Sequence, residues 1–364
     1  MSGELYLGLM SGTSLDGVDA VLAEFDGGRP RILGAAHHPF DAGLRGALLE
    51  LNSPGNDEIE RSAELANALA GRYAAAVSDV LAQTAKQAAD IRAIGCHGQT
   101  LRHRPARGYS VQIGNAALLA ELCDICVVAD FRSRDIAAGG QGAPLAPAFH
   151  AEVFGDAAES RAVVNIGGIA NLSSLPSKGA VTGFDCGPGN ALLDLWALRH
   201  LGTPYDPDGR WAAGGTVDAK LLDRLLAEPY LAAPPPKSTG RDLFNGAWLA
   251  SRLEAGLEAR TVQATLLEFA ARCIADACGR HCADAKRLIV CGGGARNGEL
   301  MHRLASLLLP AKVESSAAHG IEPQHVEAAA FAWLAKQALD GRSASLPAVT
   351  GARGPRPLGA VYPK

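Results

Sequence analysis

The apolar run "LYLGLM" and the alternating "DAVLAEFD" read as two strands joined by a polar, glycine-bearing loop. Next comes "RSAELANALAGRYAAAVSDVLAQTA", a long alanine-rich stretch with apolar positions at helical spacing, and then "IRAIGCHG", a short buried strand ending in a polar turn. A helix at "GNAALLAELC" and a strand at "ICVVADF" complete one α/β unit. The pattern then restarts. "RAVVNIGGIANLSSL" is strand, glycine turn, strand, and both "AVTGFDCGPGNALLDLWALRHL" and "KRLIVCGGGARNGELMHRLASLL" run strand, loop, helix. Two lobes of similar design, each with a strand–turn–strand start, are therefore expected. The pattern puts the first at 1–130 and the second at 131–345. An insertion rich in glycine and proline occupies about 203–245, too long for a simple connector and stiffened by its triple proline.

A chain of 364 residues supports the two-domain expectation, and its 48% hydrophobic and 20% charged residues are an ordinary globular balance. The net charge of −4 gives no electrostatic reason to expect nucleic acid or an anionic membrane as partner. No apolar run approaches the ~18 residues that would span a bilayer. The opening "MSGELYLGLM" lacks the basic region and cleavage site of a signal peptide, so the expected location is the cytoplasm. Cys123 and Cys126 form a C-x-x-C without a second ligand pair at zinc spacing, and Cys273, Cys278, His281 and Cys282 match no standard site. The eight cysteines read as buried, reduced thiols.

Three glycine-rich loops follow strands: "SGTSLDG", "GFDCGPGN" and "CGGGARN". Glycines let main-chain N–H groups approach a phosphate, and a following helix N-terminus adds positive dipole. Three such loops favour a nucleotide held between lobes. No G-x-x-x-x-G-K-[ST] occurs, and no G-x-G-x-x-G opens a helix after the first strand, so neither a Walker loop nor a dinucleotide fold accounts for them.

Together "GLMSGTSLDGVDAVL", "GCHGQTLRHRP", "QIGNAALLAE", "VADFRSRDIAAGGQGAPLAPAFH", "VNIGGIANLS", "GFDCGPGNALLD", "PPPKSTGRDLF", "CGGGARN", "HVEAAAFAWLA" and the tail "TGARGPRPLGAVYP" resemble the anhydro-N-acetylmuramic acid kinases, nearly end to end. The resemblance implies an α/β fold of two ribonuclease-H-like, actin-like ATPase lobes with the active site in the cleft between them. The tail 346–364 is then expected to return to the first lobe. It also implies ATP and Mg²⁺ as cofactors and a small amino sugar as substrate. The family opens its sugar's internal anhydro bridge with water and phosphorylates the freed O6, giving N-acetylmuramic acid 6-phosphate and ADP in cell-wall recycling. A homodimer is the expected assembly.

Residue by residue, the resemblance implies an ATP site at Gly12, Thr13, Ser14, Asp16, Gly17 and Asp19, at Asn165, Gly167, Gly168 and Gly187, and at Gly292, Gly293, Gly294 and Asn297. Asp16 is the candidate metal ligand; Asp16 and Asp19 can equally cap the turn. Asp185 matches the family's catalytic base, with Cys186 where threonine is more often expected. Opening an anhydro sugar calls for a second acid, as in inverting glycoside hydrolysis, and Glu327 is the candidate, although a first-turn glutamate also complements a helix dipole. The substrate's carboxylate and acetamido groups call for a cation and polar partners, for which His97, Gln99, Thr100, Asp130 and Arg132 are available. Against this, Arg132 can merely pair with Asp135 on the surface, and His97 can be a core histidine. Two other readings stand beside the hydrolysing kinase: a plain amino-sugar kinase, and an actin-like ATP switch. ATP turnover that requires a sugar separates the switch from both kinases.

Overall fold

The computed structural model describes residues 3–12, 14–27, 29–240 and 242–364. In chain order its strands are β1 (Glu4–Met10), β2 (Gly17–Phe25), β3 (Arg31–Pro39), β4 (Ile91–Cys96), β5 (Gln99–Arg104), β6 (Tyr109–Ile113), β7 (Val127–Ala129), β8 (Arg161–Ile166), β9 (Ile169–Leu175), β10 (Thr182–Pro188), β11 (Arg287–Cys291), β12 (Lys312–Ser315) and β13 (Ala360–Tyr362). The chain forms two compact units, one running to Val153 and resuming at Gln324, the other Phe154–Pro323.

The first unit carries the sheet β13-β7-β4-β1-β2-β3, the second the sheet β10-β9-β8-β11-β12. In each, three antiparallel strands (β1–β2–β3; β8–β9–β10) are extended from the first strand by two parallel ones (β4, β7; β11, β12). This shared order, 3-2-1-4-5, is that of the ribonuclease-H-like lobe of actin-like ATPases, so the echo between the two halves of the sequence is an echo of topology. The tail strand β13 pairs antiparallel with β7 at the edge of the first sheet.

The units divide at Val153/Phe154 and Pro323/Gln324, not at 130/131 and 345/346. The reason for the second shift lies in the first sheet. Gly8 of β1 and Gly95 of β4 are register partners. A Cβ on Gly8 would stand 1.8 Å from the carbonyl oxygen of Ala328, and one on Gly95 would stand 2.0 Å from that of Phe331. The Val326–Leu339 helix thus lies with its backbone directly on the sheet, and Phe331 and five of its six alanines are buried. The alanine-rich composition of "VEAAAFAWLA" is what permits so close an approach. The third strand β3 and the β5–β6 hairpin were not apparent in the pattern, because "RILGAAHHP" is exposed or half-buried along its length and β5 is only partly covered.

The second unit buries the long Ala259–His281 helix against β9 and β10 with Leu266, Phe269 and Ile274 in its core. The 203–245 insertion is not structureless: it contains the short helices Arg210–Ala213, Ala219–Leu226 and Pro229–Ala232, and Leu221, Leu225 and Leu231 join that core. Gly187, predicted in the nucleotide site, faces this core, since a Cβ there would stand 3.1 Å from Cys273 and 3.2 Å from Leu231.

Gly95→Ala is expected to overpack the sheet–helix contact and to destabilise the protein by about 1–3 kcal/mol or more. Gly71→Ala, at an exposed helical position where a Cβ meets nothing within 4 Å, is the control and is expected to be neutral or stabilising. Thermal melts that rank the two substitutions the other way would contradict the close-contact account.

Candidate active site

In the first unit the loop after β1 is fastened from behind. Ser11, 1% exposed, pairs through Oγ with the Tyr73 hydroxyl (2.8 Å) and donates to the Gly98 carbonyl (3.0 Å). Gln99 is buried and its Nε2 donates to the Gly12 carbonyl at 3.1 Å, so this residue of the predicted sugar site supports the predicted phosphate loop. Thr13 lies outside the described residues. Ser14 Oγ donates to Asp16 Oδ1 at 2.5 Å, and the Asp16 carboxylate is exposed. Gly17 is buried beside the His37 ring, which a Cβ would meet at 2.8 Å. Asp19, on β2, pairs with His37 Nδ1 at 2.8 Å. Burial holds its carboxyl above the usual range, while His37 and, more weakly, His325 oppose the shift. Asp19 is thus engaged with His37, whereas Asp16, although bonded to Ser14, stays exposed.

The turn after β4 carries His97, 5% exposed, whose Nε2 lies 2.8 Å from Arg132 Nη2. Burial and the neighbouring guanidinium push its pKa down to about 3, so the neutral ring accepts a hydrogen bond from Arg132. Its ring also packs on Phe331, 4.8 Å between centroids. His97 therefore stands behind Arg132, where it orients the guanidinium. Arg132 Nη1 donates to the Gly142 carbonyl at 2.7 Å. Asp135 is fully buried, which does not fit the alternative of a surface pair with Arg132; it accepts from the Gly142 N–H and the Thr350 hydroxyl, each at 2.8 Å. The C-terminal segment so holds the 130–142 loop in place. Asp130 is exposed and accepts from Ser133 N at 3.4 Å; Thr100 Oγ1 accepts from Gln112 at 3.1 Å. Glu327, half-buried, opens the Val326–Leu339 helix one residue before the Ala328 carbonyl that rests on Gly8. One unit thus contains the glycine loop after β1, the arginine-bearing loop and this glutamate.

In the second unit Asn165, Asn171 and Asp185 are register partners across β8, β9 and β10, which puts their side chains in one row on one face. Asn171 belongs to the "VNIGGIANLS" motif but was missed as a candidate, because only the strand pairing sets it beside Asp185. The Asp185 carboxylate accepts from Thr239 N at 3.0 Å, its own N–H donates to the Lys237 carbonyl at 3.2 Å, and its carbonyl accepts from the Tyr230 hydroxyl at 2.7 Å. Gly167 and Gly168 form the β8–β9 turn, and their carbonyls receive N–H groups from Gly189, Asn190 and Ala191. The glycine loop after β11 folds onto the end of β8. Gly292 has φ +78°, and a Cβ on it would stand 2.3 Å from Asn165 Oδ1; one on Gly294 would stand 2.3 Å from Ile166. Gly293 lies in the same tight turn. Asn297 caps the Gly298–Leu307 helix by accepting from Leu300 N at 3.0 Å, so its amide oxygen is committed to that helix. Six of the eight cysteines are buried, and burial raises Cys96 to about 12 and Cys282 to about 11.

Among the described residues no group of three or more His, Cys, Asp or Glu is placed to hold a metal ion, and no helix is long and apolar enough to cross a membrane.

A family model described as anhydro-N-acetylmuramic acid kinase matches residues 4–364. Two relatives so named are 57% identical (Cupriavidus pinatubonensis) and 56% identical (Variovorax paradoxus). They cover 100% of this chain, and 99% and 100% of their own lengths. Among solved structures, the (R)-2-hydroxyglutaryl-CoA dehydratase component A of Acidaminococcus fermentans aligns with a TM-score of 0.50 at 14% identity, over 90% of this chain and 96% of that one. At that identity the likeness is one of fold alone.

Because only the unfolded chain takes up the proton of His97 near its ordinary value, this group lowers stability as pH falls below roughly 6.5 and has no effect above it. The NMR signals of its ring are expected to stay flat between about pH 8 and 5. A titration centred near the ordinary histidine value would contradict the buried, acceptor role.

Proposed function

The chain belongs to the anhydro-N-acetylmuramic acid kinase family, and from that premise we propose that it couples two reactions at one sugar. It opens the internal bridge of 1,6-anhydro-N-acetylmuramic acid with water and transfers the γ-phosphoryl group of ATP to the released O6. The products are N-acetylmuramic acid 6-phosphate and ADP, as a step of cell-wall recycling. The observation that carries this reading is 57% identity with a relative of that name over the whole chain. The residues fit the chemistry as follows.

Asp185 is the general base. The oxygen of water bonds to C1 as the C1–O6 bond breaks, a water proton passes to the Asp185 carboxylate, and O6 takes the γ-phosphoryl group as ADP leaves. The Thr239 N–H on that carboxylate supports its ionised form, which is the form a base needs. Glu327 serves on the side of the departing oxygen, the second carboxyl that opening a glycosidic bond calls for. Arg132, oriented by His97 and the Gly142 carbonyl, receives the substrate carboxylate, a role suited to a preset guanidinium fork.

The nucleotide is received by the turns at Gly12 to Gly17, Gly167–Gly168 and Gly292–Gly294, with Asn165 beside them. Magnesium, when bound, spreads the charge of the phosphates. The donor set suits it: an exposed carboxylate at Asp16 fits an ion held mainly by phosphates and water.

Mass spectrometry of the sugar after incubation with ATP, Mg²⁺ and the anhydro sugar is expected to show a product heavier by one water and one phosphoryl group. Phosphorylation of other sugars only, or ATP turnover independent of sugar, would overturn the reading. Asp185→Asn is expected to lower kcat by at least about 10²-fold while ATP binding persists, and Glu327→Gln to lower turnover with an intact fold. Substantial activity in Asp185→Asn would remove the base role.

A further inference from the structure

The segment "PPPKSTG" places a lysine beside a glycine turn, the composition of a phosphate ligand, yet Lys237 is used internally. Its Nζ donates to the carbonyls of Tyr230 (3.0 Å) and Leu231 (3.1 Å) and lies 4.7 Å from the centroid of the Tyr230 ring and 5.6 Å from that of Phe184. Arg280, on the Ala259–His281 helix, donates to the same Leu231 carbonyl at 3.1 Å and anchors the segment to the core of the unit. The bonds close on themselves. Lys237 binds the carbonyl of Tyr230; Tyr230 binds the carbonyl of Asp185 through its hydroxyl; and Asp185 binds the carbonyl of Lys237 through its N–H. Two residues beyond Lys237, the Thr239 N–H reaches the Asp185 carboxylate itself.

We propose that Lys237 and Tyr230 are positioning residues for the reaction: their hydrogen-bonded ring fixes the strand bulge between Asp185 and Gly187 and holds the Thr239 N–H on the Asp185 carboxylate, which sets its direction. The inference rests on Asp185 acting as the base. A carboxylate fixed by a main-chain donor keeps its aim between turnovers, and a small misplacement of a reacting group is costly in rate. The ammonium is drawn to the carbonyls of residues 230 and 231 and to two aromatic faces, all acceptors of positive charge.

Tyr230→Phe keeps the ring and its contact with Lys237 and removes only the hydroxyl. It is expected to lower kcat about tenfold, the weight of one hydrogen bond, with KM for ATP unchanged. Lys237→Met should act in the same direction and more strongly. In both, the acid limb of the kcat–pH profile moves to higher pH as the carboxylate loses its N–H donor. In an Asp185→Asn background, Tyr230→Phe should cost nothing further. A raised KM for ATP with kcat preserved would make Lys237 a phosphate ligand and overturn the proposal, as would an unmoved pH limb or additive losses. Failure of the base reading is separate: Asp185→Asn would itself remain active. Should Lys237→Met unfold, Tyr230→Phe decides alone.

Discussion

The contact of the Val326–Leu339 helix with the first sheet is the constraint on which that half of the molecule depends. A pair of glycines in register, Gly8 and Gly95, removes the two Cβ atoms that would hold the helix away, and the carbonyls of Ala328 and Phe331 occupy the space. Three consequences follow. The chain must return from the second unit to the first, which brings Glu327 to the unit that carries the glycine loop after β1. Phe331 lies against His97, whose neutral ring orients Arg132. Finally, the helix starts next to His325, which reaches Asp19 electrostatically. A side chain larger than hydrogen at either glycine would disturb all three.

The second unit solves a different problem with the same strand order. Here one carboxylate, that of Asp185, is held by a main-chain N–H. The row Asn165–Asn171–Asp185 places polar side chains on one face of three strands, while Phe184 and Cys186, on either side of Asp185, are buried. The 230–239 segment then contacts Asp185 directly, through the Thr239 N–H, the Lys237 carbonyl and the Tyr230 hydroxyl. The insertion that separates β10 from the long helix therefore surrounds Asp185, and its helices contribute to the unit's core.

Much of this was legible in the sequence, and the exceptions have physical causes. Strands with strong apolar runs, such as β1, β4, β8 and β11, and the glycine turns after them stand out because their burial is continuous. The β3 strand did not stand out, because its residues are half-exposed and its identity comes from pairing with β2. The candidate residues were legible as motifs, but their partners were not. That Gln99 supports the Gly12 loop, that Asp135 is tied to Thr350 across 215 positions, and that Asn297 caps a helix are all products of tertiary placement. Lys237 shows the limit most clearly: its neighbours in sequence look like a phosphate loop, and its neighbours in space are carbonyls and rings. The second-lobe boundary at 345 failed for a related reason, since two glycines set the helix's address and no periodicity announces them.

The account stands or falls on water entering at the anomeric carbon. Turnover in ¹⁸O-labelled water, quenched early and followed by fragmentation of the product, tests this directly. The account predicts one labelled oxygen on C1, with O6 and the phosphoryl oxygens unlabelled. Label in the phosphoryl group, or a phosphorylated sugar that has taken up no water, would contradict it.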